Sequence, residues 1–200
     1  PIVGMALDVR GEDGLAGVVA LYAQNTAGYA NLMRLSSRAY LDAHDEPHVP
    51  LDLLLENAEG LLAFTGGGDG VFAQAIAEGK ADIVEAVLQR LALVFDKRLY
   101  VELHRHGEVI EAETEGPLID IAYRFGLPLV APNDIRFAAR SDHRAHDALM
   151  CIAASSYLGE EDRPRVTADH YFKSAEEMRS LFSDLPEAID NTAEVARRCA

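Results

Sequence analysis

The apolar positions change period along the chain, and each change predicts an element. Ile2–Val9 and Gly17–Ala23 are apolar enough for strands, with a Gly/Asp-rich turn at Gly11–Gly14 between them, so they read as a hairpin or as two strands entering a sheet. From Thr26 the spacing becomes helical: Tyr29, Leu32, Met33, Leu35 and Tyr40 form a stripe, and Asn25 or Thr26 can cap its start. Asp42–Pro50 is a polar loop carrying His44 and His48. Leu51–Leu55 reads as a short helix, Leu61–Phe64 as a strand and Val71–Ala77 as a helix. A further helix places Ile83, Val84, Val87, Leu88 and Leu91 on one face. Leu99–Leu103 is a strand, Pro117–Phe125 a helix stopped by Gly126, and Leu127–Ala131 a short buried strand. The helix from Ser141 carries Ala145, Leu149 and Ile152 toward the core.

Strands at Leu61, Leu99 and Leu127 alternate with helices, which is the βα rhythm of an α/β fold with a largely parallel sheet or barrel. In such folds sites form where strand C-termini pass into loops. Gly66–Gly70 and Asn133–Arg136 occupy that position. Past Arg163–Val166 the rhythm stops. Ser174 and Glu177 fit a capping box, Met178, Leu181 and Phe182 give an apolar face, and Pro186 suits the first turn of a last helix through Arg198. The expected division is therefore an α/β domain at 1–162 and a helical connector at 163–200.

Composition narrows the function classes. The chain has 200 residues, 49% of them apolar, enough for a core without metal or disulfide support. Cys151 and Cys199 are far apart and form no CxxC pair, which fits a reducing, cytoplasmic setting. No signal peptide is visible at Pro1–Val3, and no apolar run approaches the ~20 residues needed to span a bilayer. A net charge of −15 repels phosphate backbones and makes this segment a poor nucleic-acid binder by itself.

Four groups of residues carry candidate chemistry. Gly66–Gly70 can cradle a phosphate with backbone N–H groups, but it lacks a GK[ST] ending and places Asp69 where the phosphate would sit; chain reversal is the plainer reading. Glu102, His104 and His106 alternate from a strand into its loop and offer two imidazoles and a carboxylate to zinc or manganese. Alternating polar residues at a strand end are the plain alternative. Asn133 and Asp134 follow a buried strand, and Arg136 projects to the same side if the chain stays extended. A guanidinium donates only and cannot ligate a metal, so Arg136 paired to Asp134 would act as an electrostatic plug. His143 and His146 share a helix face, with Asp147 placed to orient His143; solvent-facing residues are the alternative. Cys151 reads as a small buried hydrophobe.

Asn25–Tyr40 (NTAGYANLMRLSSRAY), Leu127–Phe137 (LPLVAPNDIRF), His143–Ile152 (HRAHDALMCI) and His170–Cys199 together resemble a known family. The resemblance is to the polymerase-and-histidinol-phosphatase (PHP) domain of the bacterial replicative DNA polymerase III alpha subunit. It implies an incomplete TIM-like (β/α)7 PHP barrel followed by a helical connector, the early HxH ligand motif lying upstream of Pro1. It aligns Ala6 with an acidic metal ligand, Asp8 being two residues out of register, and sets Asp134 and Arg136 where active members carry Asp-x-His. Ala6, Asp134 and Arg136 are thus expected as degenerate metal-site positions, with Glu102, His104, His106, Asp134 and His143 as the alternative ligand set.

The resemblance further implies a scaffold fragment without catalytic residues of its own and without a cofactor. Mg²⁺ would serve DNA-directed DNA synthesis by the whole polymerase, whose primer-template and dNTPs bind through other domains. Implied partners are the rest of the alpha subunit and the proofreading exonuclease subunit, with no membrane. A metal-dependent PHP phosphoesterase and a stand-alone α/β interaction module are the alternatives.

Overall fold

The computed structural model describes residues 1–11, 14–42, 46–160 and 162–199. His44 and part of the turn expected at Gly11–Gly14 lie outside the described residues. β1 (Gly4–Arg10) and β2 (Ala16–Ala23) form the antiparallel hairpin, in a register that sets Leu7 opposite Val19 and Ala6 opposite Ala20. Because strand side chains alternate, Leu7, Val9, Val19 and Leu21 enter the core while Ala6, Ala20 and Tyr22 share the other face.

α1 (Thr26–Asp42) begins at a cap in which the Gly28 amide donates to Asn25 Oδ1 at 3.0 Å. Its buried side is Gly28, Asn31, Leu32, Leu35 and Ala39, whereas Tyr29, Met33 and Tyr40 of the expected stripe are exposed. Close approach explains the rotation. A Cβ on Gly28 would lie 1.9 Å from the Gly60 carbonyl oxygen, so the helix meets the turn before the next long strand through its smallest residue.

β3 (Val49–Pro50) pairs with the end of β1 inside the stretch expected to be loop, and α2 (Leu51–Glu56) comes directly after it. β4 (Leu61–Phe64) is buried on both faces, α3 (Val71–Ala77) and α4 (Ala81–Phe95) return the chain, and β5 (Leu99–Glu102) lies parallel to β4. α5 (Val109–Phe125) leads to β6 (Leu129–Val130), parallel to β5. The sheet order is β3-β1-β2-β4-β5-β6. Alternating βα units, a mixed sheet and a helical end make this the barrel-like α/β architecture that the pattern predicts.

Two further elements depart from expectation. α5 starts eight residues before Pro117, which lies inside it. A proline in a first turn needs no N–H, hence the expected start, but Glu111 secures the real one and Thr114, Leu118, Ile121 and Ala122 seat the helix on the core. On α6 (His143–Ala153), Leu149 and Ile152 are exposed and Ala145 does not face the core. This helix packs its opposite side, where Cys151 is buried and the Phe137 ring lies 5.8 Å from the His143 imidazole and 5.3 Å from that of His146, between centroids.

The last segment is docked onto the sheet. α7 (Ala175–Leu181) carries the expected capping box, the Glu177 amide donating to Ser174 Oγ and the Ser174 amide to Glu177 Oε2. Phe182, Leu185 and Ala188 join the main core. α8 (Pro186–Arg198) presents Val195, with Cys199 just after it, to Leu62, Phe64, Tyr100 and Val130 on the other sheet face. Asn191 Nδ2 donates to the Leu129 carbonyl at 2.7 Å, so α8 also closes the β6 backbone. Among the described residues no helix is long and apolar enough to cross a membrane.

Candidate metal centre

The loops after β4, β5 and β6 converge on a cleft of about 630 Å³ whose floor is the Ala6–Ala20–Tyr22 face of the hairpin. Carboxylates dominate its wall: Asp69, Glu102, Glu108, Glu111 and Asp134 face Arg136 and Arg165. Burial, and then the nearby Glu102 charge, push the Tyr22 hydroxyl up to about 12.

Glu102 ends β5 with its amide donating to Thr65 Oγ1. Its carboxylate accepts from the Gly66 amide at 2.8 Å through Oε2 and meets His104 Nε2 at 3.0 Å through Oε1. The glycine loop thus gives this amide to a protein carboxylate rather than to a phosphate. Its second role is steric: Gly67 has φ +59°, and a Cβ there would lie 2.3 Å from the His104 ring. Burial pulls the His104 pKa down, but its hydrogen bond to Glu102 and the charges of Glu102, Asp134 and Glu111 outweigh that and raise it overall.

His106 is held by a residue absent from the expected set. Glu111, in the first turn of α5, accepts from the His106 amide at 2.7 Å and the Glu108 amide at 3.1 Å through Oε2. Its Oε1 meets His106 Nδ1 at 2.9 Å. Burial works against the Glu111 carboxylate, yet hydrogen bonds from His106 and Glu108 hold its pKa below the usual range. An ionised Glu111 only accepts, so Nδ1 of His106 carries a proton. The other nitrogen, Nε2, faces Asn133 Oδ1 at 3.3 Å. That oxygen is oriented by Asn133 Nδ2 donating to the Tyr171 carbonyl at 3.0 Å. Two acceptor atoms facing each other are reconciled by a proton on Nε2 or by a cation.

One donor atom from each of His104, His106 and Glu111 lies within 4.8 Å of the other two. Two imidazoles and a carboxylate are the donor set of zinc and similar divalent cations. This corrects the expectation that the segment has no cofactor: the residues present can hold a metal ion, and the carboxylate-backed His106 has the orientation that metal-ligating histidines require.

Asp134 and Arg136 do meet, with Arg136 Nε donating to Asp134 Oδ2 at 2.9 Å. His170 approaches the same aspartate, its Nδ1 lying 3.1 Å from the backbone oxygen and 3.5 Å from Oδ2. His170 and then Arg136 hold the Asp134 carboxyl well below the usual carboxylate range. Ala6 lines the floor and offers no ligand atom, and Asp8 is exposed on the same strand face.

The structure does not bring His143 into this group. Its Nε2 meets the Val166 carbonyl at 2.9 Å, and Asp147, expected to orient it, instead forms a two-pronged pair with Arg163 at 2.5 and 2.7 Å. Arg163 lies beyond the helix in sequence and outcompetes an imidazole because its fork matches the carboxylate geometry. Cys151 is buried and unbridged.

Glu111 and His170 are the site residues that the sequence pattern does not predict. A signal for Glu111 exists in the Glu108-x-x-Glu111 spacing, visible once a helix is started at Val109. His170 has no local signal; only the return of the chain over the cleft places it there. Its ring stacks on His106 with centroids 4.1 Å apart and planes 10° from parallel.

A family model described as "PHP domain" matches residues 1–106. Among similar proteins, the DNA polymerase III subunit alpha of Caulobacter vibrioides is 47% identical over 209 residues, taking in 100% of this chain and 18% of the relative. That of Pseudomonas aeruginosa is 39% identical over 204 residues, 100% of this chain and 17% of the relative. That of Thermus aquaticus is 35% identical over 198 residues, 95% of this chain and 16% of the relative. The chain therefore spans under a fifth of the length of these relatives.

Proposed function

Because the chain belongs to the PHP domain family, we propose that it is the PHP segment of a bacterial replicative DNA polymerase III alpha subunit and serves there as a structural and protein-interaction scaffold. The observation that carries this reading is the match of subunit alpha relatives along 100% of the chain, into α7 and α8 and well past the family model. In the whole protein, template-directed DNA synthesis with Mg²⁺ would fall to other domains, which also hold primer-template and dNTPs. Residues 1–162 are read as the PHP unit and 163–200, docked on it through Phe182, Leu185 and Ala188, as the stretch that leads toward the polymerase region. The machinery is cytoplasmic, and the partners are the rest of the alpha subunit and the proofreading exonuclease subunit.

The cleft supports a scaffold that keeps a cation site. Arg136 and His170 occupy Asp134, and position 6 is alanine, which leaves His104 and His106 as nitrogen donors, with Glu111 grouped beside them and orienting His106. Titrating the full chain with the purified exonuclease subunit in a calorimeter should give one-to-one binding at micromolar affinity or better. Absence of heat and of co-elution would overturn the interaction role.

The second reading, a metal-dependent phosphoesterase, is favoured by the same His104–His106–Glu111 cluster in an open cleft. With Mn²⁺ and bis(p-nitrophenyl) phosphate, the scaffold predicts hydrolysis no faster than that of His106→Ala. Turnover that disappears in His106→Ala and in Asp134→Ala would favour the phosphoesterase instead.

A further inference from the structure

The His106 ring is held at Nδ1 by Glu111, its Nε2 faces Asn133 Oδ1 at 3.3 Å, and His104 meets it edge-on at 5.2 Å between centroids. One face is covered by His170, which comes from a strap with almost no regular structure of its own, outside the residues matched by the family model. His170 is only 6% exposed, and its Nε2 makes no hydrogen bond, Glu108 Oε1 lying 3.5 Å away.

The strap is registered onto the cleft from several sides. The Arg136 amide donates to the His170 carbonyl at 2.8 Å, and the Phe172 amide to the Phe137 carbonyl at 3.1 Å. The Thr167 amide donates to Glu108 Oε1 at 3.2 Å, and Thr167 Oγ1 donates to the His106 carbonyl. These bonds place the imidazole flat against His106. They do so at some cost, since a buried ring nitrogen without a hydrogen bond is unfavourable, a loss the backbone bonds of the strap must offset.

A metal ion lies in the plane of an imidazole that ligates it through a ring nitrogen. The His106 and His170 planes are nearly parallel and stacked, so one ion in the plane of His106 is out of the plane of His170. His170 is also outside the group of mutually close donors. Ligation of that ion by His170 is therefore ruled out on geometry, while its contact with a ligand ring is direct.

We propose that His170 is a positioning residue of the cation site: it clamps the His106 ring by stacking, so that metal affinity depends on a strap residue that does not itself ligate. This rests on the reading that the cleft holds a cation. The clamp removes rotation of His106 about its last side-chain bond and keeps water off one face, while Glu111 fixes which nitrogen is free.

The test is a Co²⁺ titration of the full chain and two variants of similar side-chain volume, read by visible absorption. His170→Phe keeps a flat ring; His170→Leu removes it; both lose the contacts with Asp134 and Glu108. His170→Leu should bind Co²⁺ about 10–100-fold more weakly, and His170→Phe should stay within about threefold of the unmodified chain, consistent with loss or retention of one orienting contact. The spectrum at saturation should be the same in all three, because the ligands are unchanged. Leucine binding as tightly as histidine overturns the clamp, as does phenylalanine binding as weakly as leucine, or a changed spectrum at saturation. If the unmodified chain itself binds no Co²⁺, or His106→Ala binds it equally well, the underlying cation reading falls and the clamp with it.

Discussion

Replacing Glu111 by glutamine separates the two tasks of that carboxylate. Two backbone amides, from His106 and Glu108, donate to Oε2, so the glutamine carbonyl oxygen must take that position. Its NH₂ group then faces His106 Nδ1, where a donor now meets a donor unless the imidazole changes tautomer. The change is easy: Nδ1 becomes the acceptor, and Nε2 gains the proton and donates to Asn133 Oδ1, already 3.3 Å away. The hydrogen-bond chain survives, but the Nε2 lone pair is lost. Three charge-assisted bonds become neutral, and with part of each retained the expected loss of stability is about 1–3 kcal/mol. For a chain near 200 residues that is about 2–12 °C in Tm. Zinc affinity should fall further, by about 10–100-fold or about 1.4–2.7 kcal/mol, since an orienting carboxylate and the free nitrogen go together.

The assay is a pair of measurements on the same sample. Calorimetric zinc titration reads affinity, and ¹⁵N chemical shifts of the His106 ring read the tautomer directly. A Glu111→Gln chain that keeps its proton on Nδ1, or that binds zinc within about threefold of the unmodified chain, would contradict the tautomer exchange. So would a variant that does not fold, because the rearranged hydrogen bonds leave no buried donor without an acceptor.

Phe182→Ala empties a fully buried ring position that also lies 4.5 Å from the Arg105 guanidinium, and it should cost about 3–5 kcal/mol in urea unfolding. A loss below about 1 kcal/mol, far under the range for a buried aromatic, would make the last segment an appendage and not part of the core. Gly67→Ala should cost about 1–2 kcal/mol from its positive φ alone, and it should weaken Zn²⁺ binding by displacing His104; equal zinc affinity would show that His104 is not a ligand. Acid should loosen the α7 region early. Arg105 holds Asp184 at a pKa of about 2, and the Ser174 amide, with Tyr171, holds Glu177 at about 2, against ordinary values of 3.8 and 4.5. Depressed carboxylates contribute stability that is present above the ordinary value and lost as pH falls through the folded one. Amide exchange in α7 should therefore accelerate between about pH 4.5 and 2, and Glu177→Gln should flatten that dependence.

The fold is more legible in the sequence than the site, and for a physical reason. β4, β5 and β6 announce themselves as short apolar runs because both faces of that sheet region are covered, and α4 announces itself because its one buried face has helical spacing. Periodicity says where apolar residues recur, but not how closely two backbones approach. The buried sides of α1 and α6 therefore differ from those the apolar spacing predicts: α1 packs through Gly28, and α6 rests on Phe137 instead of the sheet. His104 and His106 are visible as alternation out of a strand, a purely local pattern. Glu111 is hidden behind Pro117, whose usual place in a first turn moves the expected helix start past it.

Asp134 and His106 look alike in sequence as polar groups at strand ends, yet their surroundings give them opposite uses. Asp134 meets the Arg136 guanidinium and the His170 imidazole, and each contact that lowers its pKa also fills a direction from which a metal would have to approach. His106 meets a carboxylate on the far side of its ring and an amide oxygen on the near side, so its free nitrogen is turned toward other acceptors. Arginine at position 136 thus closes the Asp134 edge of the cleft without touching the His106 edge. Neutralising Asp134 does not by itself remove cation binding from the cleft, because Arg136 closes the Asp134 edge while Glu111 orients His106, and His170 is the group that reaches both edges.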